Sequence, residues 1–366
     1  MIEKTANKQF SDVSVKIGDR ESVDNQNYEQ SIFSKTDDKA YSIDCDGEID
    51  ATKQGQIGDC YLLSAVNAIE KNRPGFLKDV IKDNGDTIDV TFKGVKDKDG
   101  NFATYSINKA DLELLDSENM MYPIYDEDGY MRTAIGLDGE YSKGDDDMLA
   151  LEVAYEALRN DIGGGLVEDK YGNKEELPED VSGNVLTGGQ INEAYTHITG
   201  EGASWNFVNS VAGEEKLNNP QERQSIIGFS TPDHAQGDKA YVEIEGIKLP
   251  MQHAYTVTKM DDNSVSFVNP HDSSKELTLS MESFKKVAQR FTYRQEGYDK
   301  NSTLETSGAK KVDLSDKTQA IKEKIKEAQE ELNNENPYNI ISEKEEDKGF
   351  FGNLISKIVE FFKNLF

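Results

Sequence analysis

The apolar positions of this chain change their period part-way along. Between about residues 41 and 200 they recur mostly at helical spacing. Tyr61 to Lys71 is apolar on nearly all sides, through Leu62, Leu63, Ala65, Val66, Ala68 and Ile69, which predicts a helix buried in a core. Asp145 to Asn160 begins with acidic residues and carries Leu149, Val153, Ala154 and Ala157 at helical spacing, so it reads as an acid-capped helix. Thr87 to Lys93 alternates like a strand, and Leu186-Thr-Gly-Gly189 is a turn before a further helix from Gln190 to Ile198. From about 201 to 300 the period shortens to two. Ser225 to Ser230, Ala240 to Ile247, His253 to Met260 and Ser264 to Asn269 all fit short strands. The pattern predicts an α+β protein: a mainly helical first half over 41–200, an antiparallel β half over 201–300, and a cleft between them.

The flanks read differently. Residues 1–40 are polar with little periodicity and predict a flexible arm. Residues 301–348 are highly charged; Ser315 can cap a helix with a narrow stripe of Ile321, Ile325, Ala328 and Leu332, followed by a polar linker containing Pro337. The spacing of apolar residues over 349–366 predicts a phenylalanine-rich amphipathic helix. Its apolar face predicts packing on the core, contact with a membrane surface or binding of a partner protein, and its deletion is expected to change solubility or membrane association.

Composition narrows the function. In 366 residues, 41 Lys plus Arg stand against 70 Asp plus Glu, a formal net charge of −29, which argues against nucleic acid as a partner because the phosphate backbone would be repelled. Two cysteines, Cys45 and Cys60, rule out a disulfide framework. Cys45 reads as a free, partly buried thiol. No signal peptide and no membrane-spanning run is legible, so the expected location is cytoplasmic, or secreted without a cleavable signal.

The chemistry concentrates in Gln54-Gly-Gln-Ile-Gly-Asp-Cys-Tyr-Leu-Leu63. Cys60 follows a glycine-containing turn and opens the buried helix, where N-terminal amides and the helix dipole favour a thiolate. A cysteine nucleophile needs a base and a group to orient it. Of four histidines, His253 lies in a predicted strand that turns at Asp261-Asp-Asn263 and returns as Ser264 to Asn269. In such a hairpin His253 and Asn269 fall on one face, opposite or diagonal to each other. His271 fits the loop after Pro270, and His197 and His234 read as structural or surface residues.

The segments around Cys60, His253-Ala-Tyr and Asn269-Pro270 resemble, in order, the cysteine, histidine and asparagine motifs of the calpain family of papain-like cysteine proteases. Leu149-Ala-Leu-Glu-Val-Ala-Tyr155 and Leu186-Thr-Gly-Gly189 resemble core elements of the same family. The resemblance spans roughly 41–298 and implies a papain-like core acting as a cysteine endopeptidase on protein substrates. Cys60 would attack the peptide carbonyl, His253 would move the proton, Asn269 would orient it, and Gln54 with the Cys60 amide would hold the oxyanion. The chain departs from the family in two places: His271 follows Pro270 where a tryptophan is usual, and Tyr61 follows the cysteine. A core without the regulatory calpain domains has a bacterial look.

No cofactor is needed for this chemistry. The resemblance leaves calcium open, because Asp44 to Asp50, Asp97 to Asn101 and Asp126 to Gly129 are acidic and glycine-containing, but none has the full twelve-residue ligand series. The metal ligands, if any, are unknown from sequence. Two other readings stand beside the endopeptidase: a non-catalytic binding or scaffold protein of the calpain fold, and a papain-like deamidase or transglutaminase acting as an effector.

Overall fold

The computed structural model describes residues 41–117, 121–125, 131–136, 140–162, 167–168, 174–175, 185–232, 241–299, 302–304 and 307–334. The N-terminal arm, the linker and amphipathic segment beyond 334, the acidic turn at 126–129 and His234 lie outside the described residues.

The apolar run after Cys60 forms α1 (Cys60–Asn72), buried from Tyr61 to Val66 and again at Ala68 and Ile69. A short 3₁₀ turn (Phe76–Asp79) leads to an antiparallel ladder of β1 (Ile81–Asp83), β2 (Thr87–Lys96) and β3 (Phe102–Asn108). α2 (Lys109–Ser117) follows, then a hairpin of β4 (Met121–Tyr125) and β5 (Met131–Gly136). α3 (Asp146–Asp161) starts where Asp145 accepts the Met148 N–H at 2.7 Å, satisfying a donor left orphaned at the helix start. A small hairpin of β6 (Val167–Glu168) and β7 (Lys174–Glu175) and then α4 (Ile191–Thr199) complete this part.

The second part is built on β8 (Glu201–Phe207), α5 (Val211–Asn218), α6 (Pro220–Arg223) and β9 (Ile226–Ser230), then a hairpin of β10 (Tyr241–Ile244) and β11 (Ile247–Pro250). β12 (Ala254–Met260), β13 (Ser264–Asn269), β14 (Asp272–Ser280), α7 (Met281–Val287) and β15 (Arg290–Asp299) follow. One antiparallel sheet runs in the order β14-β13-β12-β9-β15-β8. The fold is α+β, as the period change predicts.

Two features go beyond the sequence pattern. The first half is not simply helical, because it carries its own sheet. That sheet is completed from the far end of the chain: β16 (Ser302–Thr303) pairs parallel with β2, and β17 (Lys310–Lys311) pairs parallel with β3. Strands of two residues have no alternation to read, so the charged stretch from 301 gives no hint of them. α8 (Ser315–Asn334) begins at the predicted cap, with Ile321 buried as its first stripe residue.

Buried apolar residues form two clusters, one around α1, α3 and the first sheet, the other on the large sheet around Phe229, Phe267, Phe284 and Phe291. Ile227 and Ala254 of the large sheet belong to the first cluster. α1 therefore packs against β12 and β9, and the Thr256 hydroxyl donates to the Ser64 carbonyl at 2.9 Å within this contact. The helix that starts at Cys60 is thus seated on the strand that follows His253.

Candidate active site

The loop before α1 is held on both sides. Gly55 lies so close to the backbone of Glu140 and Tyr141 that a Cβ would sit 2.2 Å from the Tyr141 carbonyl oxygen. Lys53 and Lys143 exchange backbone hydrogen bonds at 2.8 and 2.9 Å, and the Ile57 N–H donates to Glu140 O. On the other side Gly58 O accepts from Gly188 N–H, and Gly189 lies flat under the Tyr61 ring, where a Cβ would come within 2.4 Å. Gly55 and Gly189 are explained by these close approaches, and Gly188 by its left-handed backbone (φ 75).

The same loop is tied to the end of the His–Asn hairpin. The Gln54 N–H donates to Pro270 O at 2.9 Å, and Thr52 and Ser273 bond through Thr52 N–H to Ser273 Oγ and Ser273 N–H to Thr52 O. Residues 52–54 thereby run along the turn that follows Asn269.

His253 Nε2 and Asn269 Oδ1 are 2.8 Å apart. Their shared face depends on an irregularity. Near the turn the ladder pairs Met260 with Val265 and Lys259 with Ser266. Continued regularly, it would set Thr256 across from Asn269 and turn His253 to the other face. A bulge between Val257 and Lys259 absorbs one residue, so that Thr256 pairs with Val268. Extended by one position, this register brings Tyr255 opposite Asn269, with His253 diagonal on the same face.

Asn269 also fixes the histidine's tautomer. Its Oδ1 accepts the main-chain N–H of His271 at 3.0 Å, which identifies that atom as the oxygen of the amide. His253 must then donate through Nε2, and Nδ1 is left as the nitrogen able to take a proton. The main chain of His253 is clamped by Thr231, buried to 1% exposure. Thr231 Oγ1 accepts the His253 N–H at 3.1 Å and donates to Pro250 O at 2.9 Å, while the Thr231 N–H donates to His253 O at 3.0 Å. Gln252, just before His253, holds a left-handed backbone (φ 52) unusual for a residue with a side chain.

Cys60 is half-buried at the start of α1, and the backbone N–H groups of Ala254, the residue after His253, of Tyr61 and of Cys60 itself favour its thiolate. These donors act as the sequence predicts and favour a thiolate. They are outweighed: burial of the sulfur, with help from the Asp59 charge, pushes the thiol up to about 12. Burial and the neighbouring His271 bring His253 down to about 4. At neutral pH the resting pair is a thiol and a neutral imidazole, not the thiolate expected from the helix terminus alone. A nucleophilic thiolate at neutral pH would therefore need a base to take the proton from Cys60.

Gln54 lies on the same loop, but its amide is occupied. Nε2 donates to Ile57 O at 2.8 Å and to Asp59 Oδ1 at 3.2 Å, and Oε1 is buried without a partner among the described residues. An oxyanion role for Gln54 therefore requires the amide to exchange one of these bonds for the substrate.

Sequence reasoning did not find Thr231, Asp59, Glu152 or the ring of His271 as parts of this site. Only His271, two residues after Asn269, carried a signal. His197 is structural as expected, buried and within 3.0 Å of the Tyr155 hydroxyl. Cys45 is free and buried. Asp97, in one of the acidic turns considered for calcium, accepts N–H groups from Asp99, Asn101 and Gly308 and staples its own turn. Among the described residues no group of three or more His, Cys, Asp or Glu side chains is arranged to hold a metal ion. Among them, too, no helix is long and apolar enough to cross a membrane. A pocket of about 360 Å³ lies toward the C-terminal end of α1, lined by Ile49, Asn67, Glu70, Thr256, Val268 and Ser273 among others, and includes none of the four candidate residues.

No family model matches the chain, and no curated protein matches its sequence.

Proposed function

We propose that the protein is a papain-like cysteine endopeptidase of calpain type, acting on protein substrates through Cys60, His253 and Asn269. The observation that carries this reading is the 2.8 Å bond from His253 to Asn269, with Cys60 opening the helix that packs against the strand following His253. In this reading His253 Nδ1 takes the thiol proton as Cys60 attacks the peptide carbonyl, then returns it to the leaving amine. The tetrahedral oxyanion is held by the Cys60 N–H and by Gln54 once its amide turns from the loop. Removing one such donor costs about 3 kcal/mol of transition-state stabilisation.

The test is incubation of wild type and Cys60→Ala with a protein mixture, with and without calcium, followed by mapping of new N-termini. New N-termini that require Cys60 support the endopeptidase. Deamidated or cross-linked glutamines without new N-termini would replace it by the deamidase or transglutaminase reading, and no Cys60-dependent product at all would favour a binding or scaffold role. Labelling by a thiol-directed epoxide that persists in Cys60→Ala would refute Cys60 as the nucleophile. A membrane surface or partner protein engaged by residues 349–366 belongs to the same set of proposals.

A further inference from the structure

His271 is placed to govern the Cys60–His253 pair. The His253 ring, 6% exposed at the residue level, is held between two rings. Tyr255 meets it edge-on with centroids 4.9 Å apart and planes at 85°. His271 covers it from the solvent side, centroids 4.3 Å apart and planes inclined by 34°. Asn269 Oδ1 receives both the His253 ring N–H and the His271 main-chain N–H. One residue thus fixes the orienting amide with its backbone and roofs the resulting hydrogen bond with its side chain.

We propose that His271 is a positioning residue for the Cys60–His253 pair: neutral, its ring shields the His253–Asn269 bond from water, and protonated, it switches the pair off. The proposal rests on the assignment of Cys60 and His253 as nucleophile and base. The physical reason is charge. When Cys60 loses its proton to His253, an imidazolium forms 4.3 Å from the His271 ring, and a second positive charge at that distance opposes it. Few other charges reach this corner. From α1 the group facing it is the Cys60 thiol, and from β12 it is His253, with the Tyr255 hydroxyl turned to Pro250 O. Thr52 and Gln54, which bond to the turn from the preceding segment, carry no charge. On the turn itself Asp272 is engaged with Lys275 at 2.8 Å and with Ser274. Partial burial of the imidazole lowers the pKa of His271 below the ordinary histidine value.

The test compares wild type, His271→Phe and His271→Ala, each in a Cys45→Ser background, by the pH dependence of Cys60 alkylation with iodoacetamide and by kcat and KM where a protein substrate is cleaved. Alkylation reads the thiol–imidazole pair whether or not the protein is a protease, so failure of the substrate reading and failure of this proposal are separable. In His271→Phe the acid limb should move down by at least half a pH unit with the alkaline limb unmoved, because the shield stays and the titrating charge is gone. In His271→Ala, alkylation at pH 7 and kcat should fall roughly tenfold with KM nearly constant, and phenylalanine should restore most of that loss. Acid limbs that coincide in wild type and His271→Phe would overturn the switch. Alanine and phenylalanine variants with equal rates at pH 7 would overturn the shielding role.

Discussion

Asp59 and Glu152 are both wholly buried, and their carboxyl groups meet beside Cys60. Asp59 Oδ1 accepts from Gln54, and Glu152 accepts the Ser142 N–H and hydroxyl. Two buried carboxyl groups this close repel each other when both are ionised, which favours a proton shared between them. Burial raises Asp59 to about 6 and Glu152 well above the usual carboxylate range.

A pH-dependent stability follows. With pKa values raised in the folded state, the folded chain binds more protons than the unfolded chain above about pH 4. The pair's contribution is therefore greatest below pH 4 and is lost as pH rises through about 6 for Asp59, and further for Glu152. Glu152→Gln replaces the shared proton by a permanent amide donor. Urea titrations from pH 4 to 8 should show a flatter profile for Glu152→Gln than for wild type. Parallel profiles would mean that the pair does not share a proton. Glu152→Ala, which leaves Ser142 unpaired, should lose about 1–3 kcal/mol throughout.

Thr231 carries a second prediction. Thr231→Val keeps the shape of the side chain and removes the hydroxyl that accepts the His253 N–H and donates to Pro250 O. The buried donor left behind costs about 1–3 kcal/mol, visible in the urea midpoint. His253 also loses one of the bonds fixing its main chain, so kcat should fall while KM changes little. A variant with full kcat would show that the remaining Thr231 N–H to His253 O bond suffices.

Asn269 should matter chiefly through the tautomer. Asn269→Ala removes the acceptor shared by His253 and His271, freeing His253 to place its proton on either nitrogen. Activity should drop by roughly 10–100-fold or more, the lower range being that found when the hydrogen-bond partner orienting a metal-ligating imidazole is lost. The bound tautomer can be read directly from the imidazole nitrogen chemical shifts. Unchanged shifts in Asn269→Ala would remove Asn269 from that role.

Much of this was legible in the sequence, for reasons that can be stated locally. The boundaries of β13 and the start of α1 follow from residues adjacent in the chain. The common face of His253 and Asn269 was only half legible: regular pairing from the Asp261–Asn263 turn would set them on opposite faces, and it is the bulge before Lys259, which no turn residue announces, that brings them together. The rest depends on contacts distant in sequence. Asp59 meets Glu152 across 93 positions, and the strands after residue 301 find β2 and β3 from some 200 residues away. The thiol's protonation state was misjudged because the helix terminus is written in the sequence, whereas the depth to which the sulfur is buried is a property of the packed protein.

The Cys60 loop gives the last prediction. At Gly55 an added methyl would meet two backbone carbonyls, those of Glu140 and Tyr141, at 2.3 and 2.2 Å. Neither can swing aside like a side chain. Each belongs to a segment fixed by the Lys53–Lys143 bonds, and Tyr141 is further held where its hydroxyl meets Glu156 and Lys317. Gly55→Ala must therefore displace the loop, and with it Gln54 and its bond to Pro270. Gly246, by contrast, has open space around its Cβ position, and its cost is limited to the left-handed backbone (φ 77), about 1 kcal/mol. Gly246→Ala should keep its activity and lose a few degrees in Tm. Gly55→Ala should lose Cys60 reactivity toward iodoacetamide by at least an order of magnitude even at temperatures where circular dichroism reports a folded protein. Equal reactivity in the two variants would show that the loop can shift without moving the Cys60 thiol relative to His253.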